Sequence, residues 1–319
     1  MPLLNRQLAL TPRGAAGRAA GREAAGAEGA FAAAGRPDPT PAPVRAGIFA
    51  TCSNPRCGSG WLRLWRRRET PAFEGGWCCS SGCMAARVAS ALAREMDGRG
   101  SARTGHRHRI PLGLAMLEQG WITHNDLRAA LAAQRAAGGG RLGRWLVRRG
   151  SVSEDRVTRA LGLQWGCPVL GMEFHNPEGL TALVPRLFVD AFQALPLRVA
   201  AGKILYLGFE DHLDPPLALA VERMNGFAVE SGLVPESAFR PAHARMLAAR
   251  FPAVELIEAA TEPALAAALT RAVESARPVE SRLVRVHDCL WLRMWLGPQA
   301  GPLPELGSIR DVIGSTGGH

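Results

Sequence analysis

Lysine is almost missing from this chain: of its 38 basic residues one is lysine, Lys203. It sits in Ala201-Gly202-Lys203-Ile204, and no Gly-x4-Gly-Lys-Ser/Thr occurs anywhere. A P-loop needs that lysine and its flanking backbone N–H groups to cradle phosphates, so an ATPase is not expected. A Gly-x-Ser-x-Gly elbow and a His-Glu-x-x-His pair are also lacking. The remaining acidic residues and histidines form no catalytic constellation, and the chain reads as a non-enzyme. No apolar run approaches the ~18 residues that a membrane-spanning helix requires. The opening MPLLNRQLAL is too short and interrupted for the apolar part of a signal peptide, which makes a cytoplasmic protein the expectation. Large apolar residues are scarce in 1–45, which is rich in Ala, Gly, Arg and Pro. Such a segment buries too little surface to offset the entropy of ordering, and it reads as disordered.

What is present is uneven. Residues 1–160 hold 25 basic and 11 acidic residues, whereas 161–319 hold 13 and 17. That asymmetry suits an anionic partner for the first half. The dominance of arginine, alanine and glycine throughout equally fits a base-composition effect on codon choice. Five of the seven cysteines lie between Cys52 and Cys83. Clustering without a secretion signal favours metal binding over disulfides. Cys52-x4-Cys57 and Cys79-x3-Cys83 are two close pairs able to close a tetrahedral thiolate site, with zinc as its structural metal. A segment this short, read as 46–98, needs such a staple for want of a core. The Cys79-Ser-x-x-Cys83 phrase ahead of a helix from Met84 to Met96 is similar to the second half of treble-clef zinc fingers. Cys78 is then a packing residue or an alternative ligand. Trp61, Trp65, Arg63, Arg66, Arg67 and Arg68 offer stacking and phosphate contacts to a nucleic acid; the other reading packs the tryptophans on the metal core. Residues 99–108, with His106 and His108, read as a linker.

The most informative stretch repeats itself at an offset of 30 residues. Pro111-Leu112-Gly113, Met116, Gly120, Ile122-Thr123, Leu127, Ala130-Leu131 and Gln134 are matched by Arg141-Leu142-Gly143, Leu146, Gly150, Val152-Ser153, Val157, Ala160-Leu161 and Gln164. Each copy predicts a short helix, a left-handed glycine stop, a hydroxyl N-cap and a longer helix. Gly138-Gly139-Gly140 reads as a flexible joint between them.

This tandem pattern resembles the N-terminal, MshE-type domain of type II secretion and type IV pilus assembly ATPases. The resemblance extends over roughly 109–250, through a "Leu-Val-Pro" helix, a Leu195–Val199 and Lys203–Phe209 hairpin, an Asp214-Pro215 helix start, a Phe227–Leu233 strand and a Glu236–Arg250 helix. It implies a ligand, cyclic di-GMP, held by both copies. Arg141 would stack on a guanine face and pair with phosphate. Gly113 and Gly143 would let the ligand approach the backbone, aided by N–H groups at a helix start. Leu112, Leu131, Leu142 and Leu161 would give apolar contact, and Gln134 and Gln164 hydrogen bonds. In the first copy Pro111 stands where the family has arginine, and Arg109 lies two residues earlier.

The expected architecture is α+β: a tandem helical-repeat lobe followed by a small mixed α/β lobe, with an N-terminal four-cysteine zinc module. Its divisions are 1–45, 46–98, 99–108, a secretion-ATPase-like domain at 109–253 and an extension at 254–319. In the extension, Glu262–Ala276 predicts an amphipathic helix, Leu283–Leu296 fits a strand or a helix, and the tail after Gly297 is expected to be loose. The functional expectation is a regulatory adaptor that senses a cyclic dinucleotide and docks on a protein of the secretion or pilus machinery. The alternatives are an adaptor without nucleotide and a zinc-dependent nucleic-acid binder.

Overall fold

The structure, a computed structural model, describes residues 52–58, 71–97, 110–172, 175–299, 301 and 303–317. Arg109, the tryptophans at 61 and 65 with their neighbouring arginines, and His106 and His108 lie outside the described residues.

The four helices of the repeat fold as its sequence demands: α1 precedes them (Ser81–Asp97), then α2 (Leu112–Glu118), α3 (His124–Ala136), α4 (Leu142–Arg148) and α5 (Glu154–Trp165). Gly120 and Gly150 take φ of +66° and +71° just past α2 and α4. In both places the glycine N–H returns to the carbonyl three residues back, and the next N–H to the carbonyl five back, which closes the orphan helix carbonyls. Thr123 caps α3 in a reciprocal box with Asp126. Ser153 departs from expectation. It occupies the N-cap position of α5, but its side chain makes no capping bond. Glu154 and Asp155 instead place negative charge in that first turn. The core of the lobe is Met116, Ile122 and Ala130 with Leu146, Val152 and Ala160, each member matched at the offset of 30. The triple glycine is a bonded turn, not an open joint: Gln134 donates to the Gly140 carbonyl and Trp145 Nε1 to that of Gly139.

The mixed lobe follows. After α6 (Arg186–Ala191), β3 (Ala194–Ala200) and β4 (Ile204–Phe209) form an antiparallel hairpin. Then α7 (Pro215–Asn225) crosses to β5 (Ala228–Leu233), parallel to β4, and α8 (Glu236–Ala248) covers the sheet. Asp214 accepts from Leu217 N–H at 2.9 Å, with Pro215 needing no donor at the helix start.

The region after 253 corrects the expectation of a loose tail. It forms a four-stranded sheet in the order β6-β9-β8-β7, from Ala253–Ala259, Ile309–Thr316, Cys289–Trp295 and Glu280–Val286, with α9 (Glu262–Ala276) joining β6 to β7. Leu283–Leu296 is neither one strand nor one helix; it spans two strands turning at His287 and Asp288. The supposed tail supplies β9, an inner strand. Its pattern is hard to read because one inward position is charged: Asp311 is fully buried against Arg293, with both guanidinium–carboxylate bonds at 2.8 Å. Trp291 Nε1 also reaches Asp311, and Asn225 takes another Arg293 N–H, so the buried pair is satisfied.

Both faces of the inner strands of this sheet are covered. Trp291, Trp295, Ile309 and Ile313 join the core of the mixed lobe. Leu290, Leu292, Met294 and Val312 meet α9 and also α1 through Met84, Val88 and Leu92. The cysteine segment therefore shares a core with the last sheet, where the sequence suggested a staple alone. A two-strand hairpin, β1 (Ala72–Phe73) and β2 (Gly76–Trp77), precedes α1 and bonds to the start of β7 through Ala72, Glu74 and Ser281.

Candidate functional site

Two constellations stand out. The first is the cysteine cluster. Cys79 follows β2, and Cys83 lies in the first turn of α1, where Ser80 Oγ accepts its N–H at 3.3 Å. Their sulfurs meet those of Cys52 and Cys57, all four within 4.8 Å of one another. Cys57 and Cys79 approach to 3.5 Å, and Cys79 and Cys83 to 3.7 Å. A tetrahedral ion with metal–sulfur bonds of about 2.3 Å separates its sulfurs by about 3.8 Å, so this donor set is sized to hold a metal ion. Burial, with neighbouring thiols, pushes the Cys52 thiol up to about 12 when no cation compensates it. The fifth cysteine, Cys78, is buried beside Ser53 Oγ at 3.4 Å and stands outside the quartet.

The second is a cavity of about 780 Å³ between the repeat and the mixed lobe. Leu112, Leu142, Val157 and Leu161 make its apolar wall. Arg141, Gly143 and Gln164 border it from the second copy. The far side is the loop after β4, with Glu210, Asp211 and His212, and the start of α8, with Glu236, Ser237 and Arg240. Trp165 closes one end, its ring 6.3 Å from that of His212.

The expected ligand residues divide accordingly. Leu112, Arg141, Leu142, Gly143, Leu161 and Gln164 converge on this cavity. Gly113, Leu131 and Gln134 do not line it. Gly113 is buried, and Gln134 is turned to the glycine turn at Gly140. The two glycines have a packing role. A Cβ on Gly113 would lie 2.7 Å from Leu127 Cδ1, and one on Gly143 2.6 Å from Val157 Cγ1. Each also faces the other copy's leucine, Leu142 for Gly113 and Leu112 for Gly143.

The cavity's charges are paired across the lobes. Arg141 Nη1 donates to Glu210 and Nη2 to Asp211 at 3.0 Å. Arg144 reaches Glu236 at 2.7 Å, and the hydrogen bond to this carboxylate raises the arginine further above its ordinary value. Glu154 accepts the Ser237 N–H at 2.7 Å. Gln164 Nε2 donates to the Ile110 carbonyl at 2.8 Å. Glu210, Asp211, Glu236 and Arg240 were not singled out from sequence. The usable signal was the polar run 210–212 between a strand end and the N-cap Asp214, a crossover loop of the kind that borders ligands in α/β sheets.

No family model matches the chain. Over 133 residues it is 32% identical to the type IV pilus assembly ATPase PilB of Thermus thermophilus, covering 40% of this chain and 14% of PilB. Bacteriophage adsorption protein B of Escherichia coli K12 is 30% identical over 125 residues, 39% of this chain and 16% of that protein. A structure of MshE with cdg aligns at 25% identity and a TM-score of 0.35, over 43% of this chain and 99% of that one. The N-terminal domain of XpsE aligns at 23% and 0.31, over 42% and 92%. About two-fifths of the chain is thus similar in sequence to a type IV pilus assembly ATPase. It spans about one-seventh of the length of the curated relatives it matches. The two structural likenesses each cover less than half of the present chain. None of the helices among the described residues is long and apolar enough to cross a membrane.

Proposed function

We propose that this chain is a non-enzymatic regulatory adaptor that binds a cyclic dinucleotide, cyclic di-GMP, in the cleft between its repeat and mixed lobes. One observation carries this reading: the second copy's Arg141, Leu142, Leu161 and Gln164, with Leu112 of the first, are drawn to one cavity large enough for such a ligand. Arg141 and Arg144 supply planar donors suited to phosphate, and the leucines supply an apolar floor for a base. The four-cysteine cluster holds zinc in a structural role, since four thiolates leave no open position for chemistry. The output is docking on a protein partner, for which components of secretion or pilus machinery are the proposed class. Calorimetric titration of the full chain with cyclic di-GMP, using GTP as control, tests the ligand. Saturable binding absent with GTP supports it, and Arg141→Ala should weaken it at least a hundredfold while leaving the melting temperature within a few degrees. Unchanged affinity in that variant removes Arg141 from the site.

A second reading is an adaptor that binds protein only. It is favoured by the internal satisfaction of the repeat's polar groups, with Arg141, Gln134 and Gln164 all engaged within the chain. Absence of heat and of any thermal shift at high ligand would favour it.

A further inference from the structure

The helical lobe has its own small core, packs Leu161 and Trp165 against the core of the mixed lobe, and bridges the cleft by charge. Glu210 is the hub. Its side chain is 8% exposed, yet it faces Arg141, Arg144 at 3.5 Å and Arg240 at 3.3 Å, which keep 50%, 36% and 53%. Asp211 takes the second Arg141 donor, and Glu236 pairs with both Arg144 and Arg240. Three carboxylates thus match three guanidiniums, and the cluster is locally neutral. Within this cluster an incoming phosphate meets no uncompensated positive charge, and it gains Arg141 only by displacing carboxylates; Arg148, which also borders the cavity, stands apart beside the Trp145 ring.

The geometry makes that exchange feasible. If Arg141 turns to a ligand, Glu210 still faces Arg144 and Arg240, and Asp211 still has His212 Nδ1 at 2.7 Å. No buried carboxylate is orphaned, so the large penalty for breaking a buried pair is avoided. The contact also has a structural reach. Arg141 precedes α4, whereas Glu210 and Asp211 open the loop whose far end, Asp214, caps α7 and accepts from His287 of the β7–β8 turn at 2.8 Å. Freeing Arg141 removes one tie between the repeat and the loop that the C-terminal sheet also grips, while Arg144 keeps its place on Glu210.

We infer that Glu210 is a built-in competitor for the anionic ligand: without ligand it holds Arg141 across the cleft, and a phosphate of the dinucleotide binds by taking that arginine from it. This inference rests on the proposed ligand reading and assigns an affinity-setting residue within it.

The test titrates the full chain, wild type, Glu210→Gln and Glu210→Asp, with cyclic di-GMP, and records each melting temperature. Glutamine removes the charge and aspartate shortens its reach, so both should tighten binding, by about tenfold for glutamine. Tightening in either folded variant supports the competitor, as does binding by a variant when the wild type shows none. If the wild type binds and the folded variants bind equally or more weakly, Glu210 only positions the arginines and the competitor is overturned while the ligand reading stands. If no form binds, the ligand reading falls and the competitor falls with it.

Discussion

Gly113 and Gly143 occupy equivalent places, and their tight fits against Leu127 and Val157 explain why both copies carry Leu-Gly. The sequence reading assigned these glycines to ligand approach; in the structure both let α2 and α4 come close to the longer helices, and Gly143 also borders the cavity. The difference is not visible in a pattern, because a missing side chain serves a ligand and a neighbouring helix alike. Arg141, expected to hold the ligand, borders the cleft, and its carboxylate partners lie 69 and 70 residues away, beyond any local signal. Glu95 is another residue that sequence could not reveal. It lies within a helix face of Val88, Ala91 and Leu92, yet it is buried. Burial by itself would raise its carboxyl, but Arg223 at 2.6 Å, Arg94 and the Arg285 N–H together hold it below the usual carboxylate range. A lowered folded value means the stabilisation is fully present above the ordinary carboxylate pKa. It is lost as pH falls through the folded value. Thermal melts between pH 7 and pH 3 should therefore show a steeper acid decline for wild type than for Glu95→Gln, with the glutamine variant less stable at pH 7. Parallel declines would mean that Glu95 contributes nothing pH-dependent.

At the scale of elements, the repeat was the most legible part, since glycine stops, a hydroxyl N-cap and apolar spacing all agree. The hairpin of β3 and β4, the Asp214 cap and α8 were legible for the same reason. β6 went unread because Glu255 and Glu258 interrupt its apolar residues, and β9 because Arg310, Asp311 and Gly314 do so. Gly314 is needed where β9 passes α9: a Cβ there would sit 2.7 Å from Leu265 Cδ1. The cysteine spacing was legible, but the partner of α1 was not, because α9 lies more than 160 residues onward. That partner sets the expected result of removing the metal. The cluster fixes the ends of β2 and α1, whereas the apolar face of α1 stays docked on α9. Stripping zinc with a chelator, or replacing Cys83 by Ser, should lower the melting temperature and open residues 52–97 to protease. The affinity of the distant cleft should stay within twofold. A chain that carries no zinc by atomic absorption and melts identically with chelator would sink the structural-metal reading.

For the whole molecule, the division at 253 suggested by the resemblance does not coincide with the cores. Trp291, Trp295, Ile309 and Ile313 are buried in the same cluster as Phe188, Val221 and Phe239. Truncation after residue 253 would bare that apolar face, together with the surface of α1 that meets α9. Such a fragment should bind a hydrophobic dye and lose a cooperative melt, whereas the full chain should do neither. A truncated chain with a sharp, undiminished transition would show the mixed lobe to be self-sufficient.

The inner position of β9 also sets an order of events during synthesis. Ser281 bonds to Ala72 across 209 positions and Arg285 to Glu95 across 190, and β8 has no inner neighbour until residues 309–316 exist. At a synthesis rate of about 5–20 residues per second, the cysteine segment waits roughly ten to fifty seconds for the helix and sheet that cover it. During that interval its four thiols and the apolar side of α1 face the cell uncovered. Capture of a metal ion at that stage would organise the segment before its partner arrives. The cysteine segment is thus made well before the helix and sheet that enclose it.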